Sequence, residues 1–600
     1  MKLVTFEKDD RENFGFIIEF PQSDAVWVIE PGKAEAMIRA YAVSKTSGYQ
    51  FSIPEFSADF SWPAQLVEFL QMGDKAIQSL RKLEQFVLRF VEQSDAYALL
   101  AKAGHPLSAV KLLAPIPAPG LLWGLVGNNP AFSRNHMEIR HINLIPQAHQ
   151  RHRCSVIGDG EPFVFRRIPE FTSWSYNVEL GVVIGKECRN VTPGQAMDYV
   201  AGYTVISDIN HDYYYNRYPE MLRHKDPYSI MAYGWTGKNT DFTCAMGPWL
   251  VTKDEVGHPY DLDVAVRMNG ILRDHANTCS MLIGIERTIA YYSSFATLYP
   301  GDVIHMGADG KDGLATDPSL CISDGQQVTE CEIEKVGVLR NPVVYDGEDI
   351  DPSEIPQRNL PLLARRLIAS GQTSIAADDW NVHKARNFLI TYGNYASVKE
   401  QEGYEPCAIP RYMWAPVGAL GSGDDVLTSP SMESDLCLSM EVAVVIRDLI
   451  KWKDRDQAEK YILGYVPMLS GFDTHLADEV IQPALPREWA MASVYTRWSD
   501  KCNITGNIIT AMTEDEAANL EMRLYVDEEL KLTENSKTYI CKAPQLIEML
   551  TFGATLLPGD LLTLGRVGAV CRIPAKERSN EPHRVVLKIT GLPELACRVR

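Results

Sequence analysis

Short apolar or alternating runs follow one another along most of the chain, and Gly, Pro, Asn and Asp separate them. Examples are 178–184, 262–268, 520–526 and 585–589. Runs of this length between turn-forming residues predict β-strands. Two longer segments, 279–295 and 541–553, carry apolar residues at helical spacing, and each predicts one amphipathic helix. The pattern therefore predicts an α+β fold that is rich in β-strands.

The predicted elements occur twice along the chain. The strand that contains Glu179 returns with Glu441, and a Trp-x-x-Lys sequence that ends at Lys238 returns with its lysine at Lys501. The offset is 262 residues for the glutamates, 263 for the lysines and 258 for two Pro-Gly-Asp turns. Asp208 is matched with Asp473 at an offset of 265. A period of this length is far longer than that of a solenoid or propeller and predicts a duplicated domain.

Four parts of the chain are predicted. Residues 1–112 form a smaller N-terminal α+β segment, and residues 113–345 form the first copy, called unit one. Residues 346–386 form a linker that starts acidic and contains proline, and a helix is predicted in it near 360–371. Residues 387–600 form the second copy, called unit two, in which the motifs are degenerate.

Composition narrows the class of protein. The chain has 600 residues, with 58 Lys and Arg against 78 Asp and Glu, and a net charge of -20. This charge argues against a nucleic-acid partner and against binding to an anionic membrane. The 12 cysteines lack CxxC or zinc-site spacing, so neither a disulfide framework nor a structural zinc is expected. Without a signal-peptide core at the start or an apolar run of roughly 20 residues, we expect a cytoplasmic protein.

Several further stretches occur in a fixed order along unit one. They are Glu161–Arg166, Val178–Lys186, Asp198–Thr204, Met246–Trp249, Met268–Gly270 and Leu298–Ile304. In residues and order they resemble the motifs of the fumarylacetoacetate hydrolase superfamily, and unit two repeats the set more weakly. The resemblance implies two tandem mixed β-roll domains. Because members of the superfamily usually pair as dimers, it also implies a pseudo-dimer within the chain, with further oligomerisation left open.

The resemblance also implies a metal site. Enzymes of this family bind Mg²⁺, Mn²⁺ or Ca²⁺ through a Glu-x-Glu pair, whose side chains share one face of a strand, and an aspartate on a following strand. The matching residues are Glu179 and Asp208 in unit one. In unit two they are Glu441 and Asp473, with Lys501 beside them as a less favoured second site. A cation next to an enolising carbonyl stabilises the negative charge that develops there.

The ligand set is incomplete in both units. The first glutamate of the pair is replaced by Asn177 in unit one and by Ser439 in unit two. The carbonyl oxygen of Asn177 could still face the cation or the substrate, whereas a serine is a poorer substitute. Unit one is therefore the predicted active unit.

Other site residues follow from the same resemblance. Lys238 matches the family's active-site lysine, which helps to hold the anionic oxygens of the substrate. The family's catalytic histidine falls on a serine here, but His136 lies three residues later and is the candidate acid or base. Tyr213, Tyr214 and Tyr215 lie between Asp208 and Lys238 in sequence and could stack on a bulky or aromatic ligand.

The leading interpretation is a metal-assisted enzyme that acts through unit one on a small molecule, an enolisable 2-oxo acid or 1,3-dicarbonyl compound. C–C bond hydrolysis, decarboxylation and tautomerisation all remain open, and the missing histidine disfavours hydrolysis. The alternative is a scaffold without metal that binds or cyclises a bulky polyketide-like ligand, as in secondary metabolism. Cation-dependent thermal stabilisation would separate the two interpretations.

Overall fold

The structure is a computed structural model. It describes residues 1–19, 25–44, 60–91, 101–129, 145–224, 227–308, 327–346, 360–398, 409–429, 431–473, 486–578 and 581–600. Its strands outnumber its helices in both units, as the alternating pattern predicts.

The strands of the N-terminal segment are β1 (Lys2–Lys8), β2 (Arg11–Glu19), β3 (Val26–Ile29), β4 (Gly104–Pro106) and β5 (Lys111–Leu112). Those of unit one are β6 (Leu122–Leu125), β7 (Ala148–Gln150), β8 (Val156–Ile157), β9 (Phe163–Arg166), β10 (Trp174–Ile184), β11 (Val200–His211), β12 (Cys244–Thr252), β13 (Asp263–Met268), β14 (Ile271–Asn277), β15 (Val303–His305), β16 (Gln327–Ile333) and β17 (Gly337–Asp346).

The strands of unit two are β18 (Phe388–Tyr392), β19 (Arg411–Ala415), β20 (Leu420–Ser422), β21 (Val426–Leu427), β22 (Leu436–Ile446), β23 (Ile462–Asp473), β24 (Asn503–Thr505), β25 (Glu521–Val526), β26 (Glu529–Asn535), β27 (Leu561–Arg566), β28 (Cys571–Ile573), β29 (His583–Ile589) and β30 (Leu595–Val599).

The α-helices are α1 (Pro31–Ser44), α2 (Leu66–Gln71), α3 (Asp74–Val91), α4 (Pro193–Ala196), α5 (Tyr213–Arg217), α6 (Pro227–Gly234), α7 (Lys253–Val256), α8 (Ile285–Ser293), α9 (Leu362–Ala369), α10 (Arg455–Ala458), α11 (Pro486–Thr496), α12 (Glu514–Ala517) and α13 (Ala543–Thr551). Helices α8 and α13 are the predicted amphipathic pair, and α9 lies within the predicted linker helix. Within the described ranges, no helix has the length and apolar character needed to cross a membrane.

The two units share one topology. The main sheet of unit one contains the strand order β12-β11-β10-β15-β6-β7, and unit two repeats it as β24-β23-β22-β27-β18-β19. The second sheet has the order β14-β13-β16-β17-β9 in unit one and β26-β25-β29-β30-β21 in unit two. Identical strand orders confirm the predicted tandem fold.

The N-terminal segment joins unit one through its backbone. Strand β1 pairs with β12, with Lys2 opposite Val251, and the order β4-β3-β2-β1 continues the main sheet of unit one. The segment therefore extends this sheet and does not form a sheet of its own. Helices α2 and α3 pack on it through an apolar cluster that includes Phe14, Phe69 and Leu80.

The units pack against each other through a shared apolar core. Trp123 of unit one stacks on Trp498 of unit two, with ring centroids 5.7 Å apart. Polar contacts cross the junction in both directions. Tyr233, the second-last residue of α6, donates to the carbonyl of Ile409 at 2.8 Å. Tyr495, the second-last residue of α11, donates to the carbonyl of Pro146 at 2.9 Å.

The strand register corrects one match made from the sequence. Asp208 on β11 lies opposite Asn177 on β10. In unit two, the residue opposite Ser439 is Ser470, and Asp473 lies three residues farther along β23. Ser470, and not Asp473, therefore occupies the position of Asp208. In the sequence, the dipeptide Ser207-Asp208 resembles Phe472-Asp473. Matching these two dipeptides shifted the alignment of the two units by three residues.

Candidate active site in unit one

One row of cross-strand neighbours runs through five strands of unit one. In the order β11, β10, β15, β6 and β7, the row contains Thr204, Gly181, His305, Gly124 and His149. A Cβ atom at Gly124 would collide with the rings of both His305 and His149. The two imidazoles approach each other because Gly124 has no side chain, and their centroids lie 5.8 Å apart.

Asp208 is fully buried beside this row, and its carboxylate is paired with two cationic side chains. Arg151 forms an ion pair with one carboxylate oxygen and Lys238 with the other. Arg151 is itself fully buried and also donates to the carbonyl oxygens of Lys238, Thr243 and Ile209. These bonds hold the guanidinium between β11 and the turn that carries the lysine.

Glu179 is the second buried acid of the site. It lies two residues from Asn177 on β10, so the two side chains share one face of the sheet. Its Oε2 atom interacts with Nδ1 of His305 and accepts the backbone N–H of Gly307 at 3.0 Å. Asn177 is half-buried on this face.

Burial and charge set the protonation of the site. Burial lowers the pKa of His305, and burial together with Lys238 and Arg151 holds the pKa of His149 well below its usual range. Burial acts to raise the pKa of Glu179, but His305, Lys238 and Arg151 outweigh it and lower the pKa. Burial and Arg151 lower the pKa of Lys238 to about 8. These shifts favour an ionised Glu179, a charged Lys238 and two neutral imidazoles at neutral pH.

The donor groups of the site fit a divalent ion. One ligand atom each from His149, Asp208 and His305 lies within 4.8 Å of the others, and all three residues are buried. Nε2 of His305 makes no hydrogen bond of ordinary geometry to the described residues, and the ring of His149 has a main-chain contact at Gly124. Buried nitrogen atoms without such bonds are available as metal ligands.

The corresponding row of unit two has lost these groups. In the order β23, β22 and β27, it contains Val466, Ala443 and Thr563. Continuing the register between β27 and β18 by one residue adds Ile390 on β18, and the residue opposite Ile390 on β19 is Met413. Threonine and methionine thus stand where unit one has its two histidines. With Ser470 in place of Asp208, unit two has none of the three grouped donors.

The other predicted residues of unit two are engaged elsewhere, which corrects the expected second site. Glu441 is buried and paired with Arg497 at 2.6 Å. Lys501 is paired with Asp425, and 53% of its side chain is exposed, compared with 16% for Lys238. Asp473 accepts a hydrogen bond from the hydroxyl of Ser429. Arg497, rather than Lys501, is therefore the cation beside the glutamate of unit two.

The three predicted substrate-binding tyrosines form the first three residues of α5. Tyr213 and Tyr214 are buried and Tyr215 is partly buried, and their hydroxyls donate to the main-chain carbonyls of Arg166, Leu550 and Tyr233. These contacts connect the segment to both units, and a role in substrate binding stays a prediction. His136 lies outside the described residues, so its catalytic role also stays a prediction.

Arg151, His149 and His305 are the site residues that the sequence reasoning missed. A signal was present at 149–153, where His-Gln-Arg-His-Arg places five polar residues in succession, the first two of them on β7. His305 is the last residue of β15, the strand after the Pro-Gly-Asp turn, and an apolar residue would suit this buried position. Neither signal indicates that the two segments meet, because their contact depends on the strand order β15-β6-β7.

Comparison with known proteins gives two matches to one family domain. Residues 126–344 and 382–600 both match the domain described as "Fumarylacetoacetate (FAA) hydrolase C-terminal". The chain is 31% identical over 287 residues to the mitochondrial oxaloacetate tautomerase Fahd2a of Rattus norvegicus, covering 48% of this chain and 82% of that protein. It is 31% identical over 252 residues to a 2,4-didehydro-3-deoxy-L-rhamnonate hydrolase of Sphingomonas sp. (strain SKA58), covering 41% and 83%.

Among solved structures, one match is maleylpyruvate hydrolase from Sphingobium sp. SYK-6 in complex with manganese(II) ion and pyruvate. The sequence identity is 23%, the TM-score is 0.38, and the match covers 58% of this chain and all of that one. The family matches cover most of the chain, and the strand orders show the same duplication. The chain therefore belongs to the fumarylacetoacetate hydrolase family of enzymes and contains its C-terminal domain twice.

Proposed function

We propose that unit one is the active unit of a metal-assisted enzyme that acts on an enolisable 2-oxo acid or 1,3-dicarbonyl compound. The observation that supports this most is the buried pairing of Asp208 with Lys238 and Arg151 beside two neutral histidines. Unit two lacks the corresponding groups and serves as a structural partner.

The residues of the site suit chemistry that passes through an enolate. The Lys238 ammonium can donate to a substrate oxygen as that oxygen gains negative charge. An imidazole can take a proton from carbon and return it, and His136 stays the predicted candidate for this role. Arg151 keeps Asp208 and the Lys238 turn in fixed positions. A divalent ion held at Asp208 would supply a Lewis acid for the carbonyl group.

Tautomerisation or decarboxylation fits this set better than hydrolysis. Both need stabilisation of an enolate and the transfer of a proton, whereas C–C bond hydrolysis also needs a positioned and activated water. The name of the rat relative, an oxaloacetate tautomerase, supports a 2-oxo acid as substrate. The polyketide-cyclising scaffold is less favoured, because the relatives are named as enzymes and the donors for an ion are present.

The remaining assignments are also proposals. Mg²⁺ or Mn²⁺ is the ion that the family resemblance implies, with Ca²⁺ as an alternative. Glu179 and Asn177 lie on one face of β10 beside this site. The cytoplasmic location stays a prediction, because the rat relative is named as mitochondrial.

The test is an assay of the full chain on enolisable 2-oxo acids, starting with the enol and keto forms of oxaloacetate, with and without Mn²⁺. We expect turnover that Asp208→Asn abolishes and that Ser470→Ala, a change at the corresponding position of unit two, leaves within a fewfold of the unmodified chain. Circular dichroism and melting temperatures must show that both variants fold. Equal losses in the two variants would contradict the assignment to unit one.

A further inference from the structure

The group of donors around Asp208 differs from the all-oxygen set that the resemblance predicts. His149 and His305 come from β7 and β15 and converge over Gly124. Each offers a ring nitrogen to the place that an oxygen of Asp208 also reaches, within 4.8 Å. Glu179, the residue predicted to bind the metal, is instead engaged by His305 and the backbone of Gly307.

The contact between Glu179 and His305 determines which ring nitrogen is free. An ionised carboxylate can only accept hydrogen bonds, so Nδ1 of His305 must carry the proton. Nε2 of the neutral ring then keeps its lone pair, and it has no hydrogen-bond partner among the described residues. A carboxylate that holds one nitrogen of a histidine while the other faces a metal is a common arrangement around metal sites.

We propose that His149, Asp208 and His305 form a two-histidine, one-carboxylate site for a divalent transition-metal ion, and that Glu179 orients His305 and does not bind the ion. The inference rests on the proposed function only in placing the chemistry in unit one. Imidazole nitrogens suit Fe²⁺ and Zn²⁺, and a mixed nitrogen and oxygen site also binds Mn²⁺ and Co²⁺, with Mn²⁺ the weakest of the four, whereas Mg²⁺ and Ca²⁺ prefer oxygen ligands alone. The site should therefore discriminate against Mg²⁺ and Ca²⁺.

The ion pairs at Asp208 leave lone pairs on its carboxylate oxygens for such an ion. Arg151 and Lys238 each take one oxygen of the carboxylate, and each oxygen has two lone pairs. Two cations close to the ion weaken its binding, but the charges of Asp208 and Glu179 balance them. We therefore expect lower affinity than at a site with several carboxylates and no neighbouring cation.

Unit two and a second cluster provide internal controls. Met413 and Thr563 replace the two histidines in unit two, so one ion per chain is expected. A different buried group, His152, Cys154 and Asp241, also lies within 4.8 Å. Its aspartate is already bonded to Lys451 at 2.7 Å and to the hydroxyl of Thr555 at 2.6 Å.

The first experiment needs no variant. Mn²⁺ is titrated into the metal-stripped full chain, and electron spin echo spectroscopy reports whether nitrogen nuclei couple to the bound ion. We expect one Mn²⁺ per chain with the coupling of two imidazole nitrogens, and we expect excess Mg²⁺ not to displace it at tenfold higher concentration. Bound Mn²⁺ without nitrogen coupling, or its ready displacement by Mg²⁺, would overturn the inference.

The second experiment locates the site by calorimetry with Mn²⁺ and Co²⁺. His149→Gln and His305→Gln should each weaken binding at least tenfold, and Glu179→Gln should weaken it by about tenfold to a hundredfold. The matched control is His152→Gln, which should leave affinity within twofold. Loss of binding only in His152→Gln would place the ion in the other cluster and refute the proposal.

The experiments can distinguish a failure of the proposed metal site from a failure of the proposed function. If Mn²⁺ binds through nitrogen but no 2-oxo acid is turned over, the metal site stands and the proposed function fails. If turnover depends on Asp208 while the histidine variants bind Mn²⁺ normally, the proposed function stands and this inference fails. Binding is measured only for variants whose melting temperature lies near that of the unmodified chain.

Discussion

Lys238 and Asp208 form a buried ion pair in unit one. Lys501, which follows the matching tryptophan in unit two, lies at the surface and is paired with Asp425. The two lysines occupy similar positions in sequence but have different environments. Because water screens the charge of an exposed lysine, Lys238 is better placed than Lys501 to act on a substrate in the proposed site.

Replacement of Lys238 should therefore impair turnover far more than replacement of Lys501. Loss of one preorganised donor to a developing oxyanion costs about 3 kcal/mol, which lowers kcat/KM about a hundredfold. We expect this loss for Lys238→Met and a change of less than threefold for Lys501→Met, measured on the 2-oxo acid that the chain turns over. Matched melting temperatures control for packing of the lysine stem. Equal losses would mean that both units are catalytic.

Gly124 provides the second prediction. A Cβ atom at this position would meet the His305 and His149 rings, so Gly124→Ala must displace at least one of them. We expect a cost of about 1 to 3 kcal/mol in stability, typical of overpacking, together with a loss of activity. Gly194→Ala is the control, because nothing lies within 4 Å of a Cβ there. Differential scanning calorimetry should separate the two variants, and equal melting temperatures would contradict the placement of the rings.

The third prediction concerns pH. Burial raises the pKa of Asp302 to about 7, although the backbone N–H groups of Tyr299 and Leu121 oppose the shift. The folded state therefore keeps the proton up to about pH 7, whereas the unfolded chain releases it near pH 4. Between these values the unfolded state binds fewer protons, so the stability that this group provides at low pH is lost as pH rises towards 7.

Asp302→Asn removes this titration. The stability of the unmodified chain relative to the variant should fall by about 1.4 kcal/mol for each pH unit between pH 5 and 7, and should then become constant. Denaturant midpoints measured from pH 5 to 8 provide the check. Asp560→Asn should behave alike, because burial also raises the pKa of Asp560 to about 7. A difference that is constant with pH would show that Asp302 is ionised throughout.

Most of the fold could be predicted from the sequence because local patterns encode it. Alternation marks the strands, and the repeated motifs reveal the duplication even though many residues differ between the units. The N-terminal segment was harder, because the pairing of β1 with β12 joins residues about 250 positions apart. No local pattern specifies a contact at that separation.

The candidate site was predictable only in part. Asp208 and Lys238 could be found from the sequence because motifs surround them, and the structure brings them together. His149 and His305 could not, since their meeting depends on Gly124 and on strand order. The match to Asp473 failed for a different reason. Strand register decides which residue lies opposite Ser439, and a similar dipeptide at the wrong register was misleading.

The junction between the units leads to the last prediction. Asp241 of unit one accepts the N–H and the hydroxyl of Thr555 and is paired with Lys451 of unit two. Across the junction, Asp500 of unit two accepts the same groups of Thr297 and is paired with an arginine of unit one, Arg189. The two contacts are reciprocal, as expected for paired domains of one family.

Burial should make the two contacts unequal in strength. The side chains of Asp241 and Lys451 are 2% and 4% exposed, whereas those of Asp500 and its arginine are about one-third exposed. Removing one partner of a buried pair leaves an uncompensated charge and costs about 3 to 5 kcal/mol, whereas a partly exposed pair contributes about 1 kcal/mol at most. Asp241→Ala should therefore lower the denaturant midpoint much more than Asp500→Ala. Both variants also lose the carboxylate that accepts the N–H and the hydroxyl of a threonine. The comparison between them therefore isolates the effect of the buried charge. Similar midpoints for the two variants would show that Lys451 finds another partner or reaches water when Asp241 is removed.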